Sequence, residues 1–283
     1  MHDSKNKTES HTLYLVATPI GNLADITERA KKVLSEVDFI ACEDTRNSAK
    51  LLSLYGIRSE LVSYHEHNRH ESGQRIVARL LSGESCAVIT DAGMPAISDP
   101  GEDIVRLCAD AGIRVSVIPG ASAAVSALAM SGLSTSKFCF EGFLPSRSTE
   151  RRKRLSELAC EVRTVIYYEA PHRLKKTLED MKEAFGEGRR ISLCRELTKI
   201  NEEVIRTTLG GADDYYSEHE PRGEYVLVVE GGSAACDNSL CDLSPAEHVA
   251  HYEALGLRKM DAIKAAAKDR GVAKSELYKL ING

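Results

Sequence analysis

Between residues 12 and 131 the sequence alternates short apolar runs with segments of helical periodicity, and three of the apolar runs end in glycine and proline. The runs are "TLYLVA", "DFIACE", "SCAVITDAG" and "RVSVIPG". A strand apolar on both faces needs helices above and below it, which favours parallel pairing. The intervening segments supply them: "LADITERAKKVLSEV", "TRNSAKLLSLYG" closed by Gly56, "ESGQRIVARLLSG" closed by Gly83, "GEDIVRLCADAG", and the small-residue "ASAAVSALAMSG". The pattern predicts an α/β fold with a mostly parallel sheet covered on both faces.

Ligands of such sheets gather at the carboxyl ends of the strands. Three turns fall there, "TPIGN", "TDAGMPAISDPG" and "IPGASA". None reads G-x-G-x-x-G or G-x-x-x-x-G-K-[ST], which points away from a ligand with a phosphate chain. Backbone amides and carbonyls exposed by glycine can instead grip a zwitterion, with Asp91 or Asp99 opposite a cationic centre.

The second half changes character. "FCFEGF", "RTVIYYEA", "RRISLCREL" and "GEYVLVVEG" read as strands, with helices near 150–160 and 172–185, implying a smaller mixed sheet. "PHRLKKTLEDMKEAFG" carries proline in its first turn and ends at Gly186, and "EEVIRTTLGG" reads as a strand entering a surface turn. After a linker over 233–243, three short helices separated by Gly256 and Gly271 form a tail opened by a capping box of Ser244 and Glu247, and the last two resemble a helix-turn-helix. The expected organisation is a frayed tail over 1–11, an α/β domain over 12–136, a second over 137–232, the linker, and a helical tail over 244–283.

Charge is unevenly placed. The chain carries −5 overall, yet residues 137–206 hold 16 Lys and Arg against 12 Asp and Glu. Within them Arg147, Arg151, Arg152, Lys153 and Arg154 form either a solvated helix start or a phosphate-contacting patch. From Ser244 onward, 7 Lys and Arg against 5 Asp and Glu leave RNA contact and docking onto the protein body as equal readings. The 8 cysteines show no C-x-x-C and no histidine at zinc spacing, so they read as reduced packing residues of a cytoplasmic protein. No apolar run is long enough to span a membrane, and the first eleven residues are polar.

Nine motifs in order, "LYLVATPIGNLADIT", "ACEDTRNSAKLL", "YHEHN", "TDAGMPAISDPG", "VIPGASAAVSAL", "FEGFLP", "YYEAPHRL", "CRELTK" and "GEYVLVVEG", resemble the bacterial ribosomal RNA small-subunit methyltransferase I group of the tetrapyrrole methylase superfamily. The resemblance runs from about residue 12 to the end of the chain. It implies a two-domain homodimeric enzyme that binds S-adenosyl-L-methionine between its domains and methylates the ribose 2′-hydroxyl of a cytidine in the decoding region of 16S rRNA. By motif position, the cofactor would meet Pro19, Ile20 and Gly21 in the first turn, and Asp91, Gly93, Met94 and Ile97 in the second. Ala121, Ser122 and Ala123 would follow in the third, with Tyr168, Leu197 and Glu224 in the second domain. Met94 departs from the smaller or polar residue expected between "DAG" and "P".

Methyl transfer from a sulfonium is an in-line displacement, so alignment and exclusion of water dominate, and a base or cation beside the weakly acidic hydroxyl helps. The candidates are Glu43, Asp44, His65 with His67, and Lys199. Glu43 or Asp44 can equally be a helix cap, and Arg46 either a phosphate fork or a helix salt bridge. "HEHN" would place two imidazoles on one face of a strand, but a third metal ligand is not evident, so no metal is expected. Two rival functions stand: a relative methylating a tetrapyrrole ring carbon, and a non-catalytic RNA-binding assembly factor on the same scaffold.

Overall fold

The first sheet of the computed structural model, which describes residues 7–232, 243–270 and 272–282, is entirely parallel in the order β3-β2-β4-β1-β5. Its strands are β1 (Thr12–Val16), β2 (Phe39–Cys42), β3 (Glu60–Ser63), β4 (Cys86–Ile89) and β5 (Arg114–Ile118). Alternating side chains build a core on each face. Tyr14, Val16 and Ile40 pack with α1 (Glu28–Glu36) and α2 (Thr45–Leu54) through Val33, Leu34 and Leu52. Leu13, Phe39 and Tyr64 pack with α3 (Arg69–Leu81) and α4 (Glu102–Asp110) through Ile76, Leu80 and Ile104. Each such fully buried side chain contributes about 1.5–3 kcal/mol.

The second sheet runs β6-β7-β10-β8-β9 and is mixed. β6 (Phe138–Phe143) pairs parallel with β7 (Thr164–Glu169), and the other neighbours, among β7, β10 (Tyr225–Val229), β8 (Arg190–Arg195) and β9 (Glu203–Thr208), are antiparallel. α5 (Ala123–Ser131), the small-residue helix, packs on this sheet through Ala124, Ala127 and Leu128 against Ile166, Cys194, Leu197 and Val226. It leaves the first sheet by the turn after β5 and lands on the second, so a site at that turn is shared by both sheets. α6 (Ser148–Leu158), α7 (Pro171–Phe185) and α8 (Leu209–Glu218) complete this half, with Leu174, Leu178, Met181 and Tyr216 buried.

Both sheets belong to one compact unit, ending at Glu230 and interrupted at Glu157–Val162. The interruption and the residues from Gly231 form the other unit, whose helices are α9 (Pro245–Ala254), α10 (Lys259–Asp269) and α11 (Lys274–Asn282). Val249, Ala262, Ile263, Ala266 and Leu277 form its core. The expected capping box is formed: the Glu247 N–H donates to Ser244 Oγ at 3.3 Å and the Ser244 N–H to Glu247 Oε2 at 2.8 Å. Residues 1–6 of the expected tail and 233–242 of the expected linker lie outside the described residues.

Three local readings change. The helix expected from Leu23 splits into a 3₁₀ turn, Leu23–Asp25, capped by Asn22, and then α1, capped by Thr27. "YHEHN" is a turn leading into α3 rather than a strand. The surface turn expected after "EEVIRTT" is instead α8, whose cap Thr208 accepts from the Gly211 N–H at 3.2 Å.

Candidate functional site

The three glycine turns meet at the carboxyl edge of the parallel sheet. Thr18 and Gly93 exchange backbone hydrogen bonds of 2.9 and 3.1 Å, and the Thr18 hydroxyl donates to the Thr90 carbonyl, so the turns after β1 and β4 are fastened together. Gly93 has φ +84°, and a Cβ there would stand 3.3 Å from Ile20 Cγ2. Gly21 serves a different approach: its Cβ would fall 2.5 Å from Lys199 Cγ, and the Asn22 N–H donates to Thr198 Oγ1 at 3.0 Å. The tight join after β1 therefore clamps the loop after β8.

Between this edge and the second sheet lies a cavity of about 430 Å³. Ile20, Gly93, Met94 and Ile97 line it from the first two turns, and Ser122 and Ala123 from the third. Tyr168, Leu197, Lys199 and Glu224 line it from the second sheet. Sequence reading missed Ser98, Phe143, Glu169, Cys194 and Val226, which the second sheet and a loop bend bring in. Phe140 and Phe143 stack edge-on against Tyr168 at 4.9 and 5.6 Å between ring centroids, fixing that wall. Glu169 is buried and held by an ion pair to Arg173 at 3.2 Å and by the Thr177 hydroxyl at 2.6 Å.

Four expected cofactor residues are not among those that line the cavity. Asp91 accepts from Asn47 Nδ2 at 3.1 Å; Pro19, Gly21 and Ala121 shape the turns without lining the cavity. The base candidates separate more sharply. Asp44 is the N-cap of α2, accepting from the Arg46 N–H at 2.8 Å, and it ion-pairs with exposed Arg46 at 3.4 Å. His65 and His67 lie in the turn before α3, with ring centroids 5.9 Å apart. Neither they nor Glu43 line the cavity.

Lys199 does, and donates to Glu196 Oε1 at 2.8 Å and Glu224 Oε2 at 2.6 Å. Burial works against its charge, but the two carboxylates outweigh it and hold the ammonium above its usual range. It is a cation in this wall, not a base. Asp99 behaves oppositely. Burial, with Glu43 and then Asp91 nearby, pushes its carboxyl up to about 6.

The basic segment on α6 is largely neutralised within the fold. Arg151 is buried and meets Asp180, itself buried, at 2.6 Å; Arg152 meets the other Asp180 oxygen at 2.6 Å. Arg154 forks onto Glu141 at 2.7–2.9 Å. The surface-facing part of the expected patch narrows to Arg147, which pairs with Glu150 at 3.3 Å, Lys153, and half-exposed Arg152.

A family model for tetrapyrrole (corrin/porphyrin) methylases matches residues 12–213. A ribosomal RNA small subunit methyltransferase I of Halalkalibacterium halodurans is 49% identical, covering 98% of this chain and 96% of its own. That of Bacillus subtilis is 47% identical over 96% and 94%. The chain belongs to the ribosomal RNA small subunit methyltransferase I family, within the tetrapyrrole methylases. Two solved structures share the fold: cobalt precorrin-4 methyltransferase, with TM-score 0.55 and 18% identity over 81% of this chain and 97% of its own, and diphthine synthase, with 0.59 and 13% over 77% and 90%. Among the described residues no helix is long and apolar enough to cross a membrane.

Proposed function

We propose that this chain transfers a methyl group from S-adenosyl-L-methionine to the ribose 2′-hydroxyl of a cytidine in the decoding region of 16S rRNA, working in the cytoplasm as a homodimer on the small ribosomal subunit. The observation that carries the reading is the cavity itself, framed by three glycine turns of a parallel sheet and closed by a second sheet. Its volume falls within the range of about 300–1,000 Å³ usual for small-ligand sites. Ile20, Met94, Leu197 and Val226 give apolar walls suited to an adenosyl group, and Gly93 leaves a cradle that a Cβ would fill. Asp99, with the carboxylates of Glu169 and Glu224 that are shared with Arg173 and Lys199, gives acceptor oxygens suited to a ligand bearing an ammonium and a sulfonium.

When bound, the cofactor supplies an electrophilic methyl group on sulfur. The chain's own residues align the acceptor oxygen and exclude water. Lys199, held protonated, sets a positive charge beside the site, and Asp99, ionised at neutral pH but far less acidic than an ordinary aspartate, is matched to accept the proton leaving the hydroxyl. The names of near-full-length relatives at 47–49% identity support the ribosomal substrate; the tetrapyrrole alternative is supported by the description of the family model and by fold likeness at 18% identity or less in the structures described above.

The test uses purified protein, labelled S-adenosyl-L-methionine and small subunits from cells lacking the gene, followed by alkaline hydrolysis of the RNA. A 2′-O-methyl group blocks attack on the adjacent phosphate, so the expected product is a labelled dinucleotide that survives alkali. Label confined to mononucleotides would move the methyl to a base, and no label with the cofactor bound would reject the RNA substrate.

A further inference from the structure

A second cavity of about 290 Å³ adjoins the first, and Ser98 and Asp99 line both. Its other walls come from Tyr64 at the end of β3, from Glu66 and Arg69, and from the start of α4 at Glu102 and Asp103. Two observations mark it as built to receive something.

The first is Tyr64. Its side chain is 1% exposed and its hydroxyl has no hydrogen-bond partner, although the Ile104 amide at the start of α4 faces it. A buried hydroxyl whose proton lacks an acceptor destabilises the fold unless a ligand meets it. The second is the partition between the cavities. Ala96 and Ser98 hold φ at +69° and +63°, a conformation that side chains rarely adopt. The bend is closed by Gly101, where a Cβ would fall 2.8 Å from Ala96 N, and by Ser98 Oγ packed where a Cβ on Gly142 would stand 2.9 Å away. The fold sustains strain there to place Ser98 and Asp99 between two open spaces.

We infer that the second cavity seats the pyrimidine base of the acceptor nucleotide, drawn out of its stack, with Tyr64 and Arg69 reading the base edge. A nucleoside straddling the partition would put its base on the Tyr64 side and its ribose at Asp99, next to the cofactor cavity. The donors and acceptors match cytosine: the Tyr64 hydroxyl and the Arg69 guanidinium can donate to O2 and N3, and the carboxylates of Glu66, Glu102 and Asp103 can accept from the exocyclic amine. Uracil inverts the pattern at N3 and at the exocyclic position, setting a carbonyl against a carboxylate. Asp103 already orients Arg69 through an ion pair of 3.0 Å, as a recognition residue requires. The inference rests on the RNA reading above and adds to it the subsite that selects the base.

The experiment measures methyl transfer to small subunits bearing either cytidine or uridine at the labelled position, for the wild type, Tyr64→Phe and Arg69→Gln, with cofactor affinity followed by calorimetry. The wild type is expected to favour cytidine by about 100-fold or more in kcat/KM, and each variant to lose about tenfold of that preference with cofactor affinity unchanged. Variants that keep the wild-type ratio, or lose both substrates equally, would overturn the base seat while leaving the function intact. A wild type that binds cofactor yet labels neither RNA would instead remove the functional reading and this inference with it. Phe keeps the volume of Tyr64, and Arg69 is a surface residue, so the two variants guard each other against a folding artefact.

Discussion

Gly93 holds φ at +84° with Ile20 Cγ2 standing 3.3 Å from where its Cβ would be, so a side chain there is strained and fills the cofactor cradle at once. Gly93→Val is expected to weaken S-adenosyl-L-methionine binding by at least about 100-fold in calorimetry; wild-type affinity would displace the cofactor from this cavity. Asp99 makes a prediction through pH. Its folded carboxyl is raised from 3.8 to about 6, so ionising it costs stability that is fully present at low pH and lost as pH rises through that window. Asp99→Asn should therefore raise thermal stability at pH 7.5, by about 1 kcal/mol once solvent screening is allowed for, and leave it unchanged near pH 3.5. Equal effects at both pH values would remove the raised carboxyl. The same variant should abolish methyl transfer, since an amide cannot take the proton. Asp99 was legible in the sequence as a charged residue in a glycine-rich loop. Its burial, and the nearness of Glu43 from the end of β2 to the loop after β4 that carries both Asp91 and Asp99, arise only when the parallel sheet aligns those ends. Asp44 shows the converse: the strand-to-helix junction that made it a base candidate is what uses its carboxylate as a cap.

Helices show where sequence and packing part company. Five basic residues within eight positions, Arg147 just before α6 and four within it, announce a patch, but local spacing carries no information about Asp180, 29 residues beyond Arg151 on α7, or Glu141 on β6. Folding turns Arg151 inward. Arg151→Ser is expected to destabilise the fold by about 3–5 kcal/mol, because Asp180 would keep a buried charge served by Arg152 alone. Urea unfolding reads this directly, and a loss below about 1 kcal/mol would reject the buried pair. Arg147 and Lys153 face solvent. Replacing both with serine should leave the midpoint unchanged and, on the phosphate-contacting reading of this segment, reduce the slope of log affinity against log salt by about 1.5–2. An unchanged slope would take α6 out of the RNA interface. Periodicity made most strands and helices legible, including the capped start of α9. α8 was hidden because Gly210 and Gly211 in its first turn argue against a helix, and burial of Leu209, Ala212 and Tyr216 overrides them.

At the scale of the molecule, the cofactor cavity joins elements that are distant in the chain. Its walls run from Ile20 to Val226, all within the unit that ends at Glu230, while α9–α11 enclose a separate core around Ile263 and Leu277. A ligand bound there stabilises whatever unfolds cooperatively with its walls, by about 2.7 kcal/mol at one hundred times its Kd, which for a unit of this size is a rise of about 5–10 °C. Both sheets should share that rise, because Gly21 and Asn22 of the first are fastened to the Thr198–Lys199 loop of the second and α5 links them by its packing. The helical unit has its own core and, among the described residues, contributes no wall. Differential scanning calorimetry with saturating S-adenosyl-L-methionine should therefore show the larger transition moving up and a smaller one staying in place, and hydrogen exchange should slow in β1, β4, β7 and β10 but not in α10. If the sheets separated into two transitions with only one shifted, the cavity would belong to a single lobe. If every transition moved together, the helical unit would be folding as part of the catalytic body, and the division at Glu230 would describe contacts without describing cooperativity.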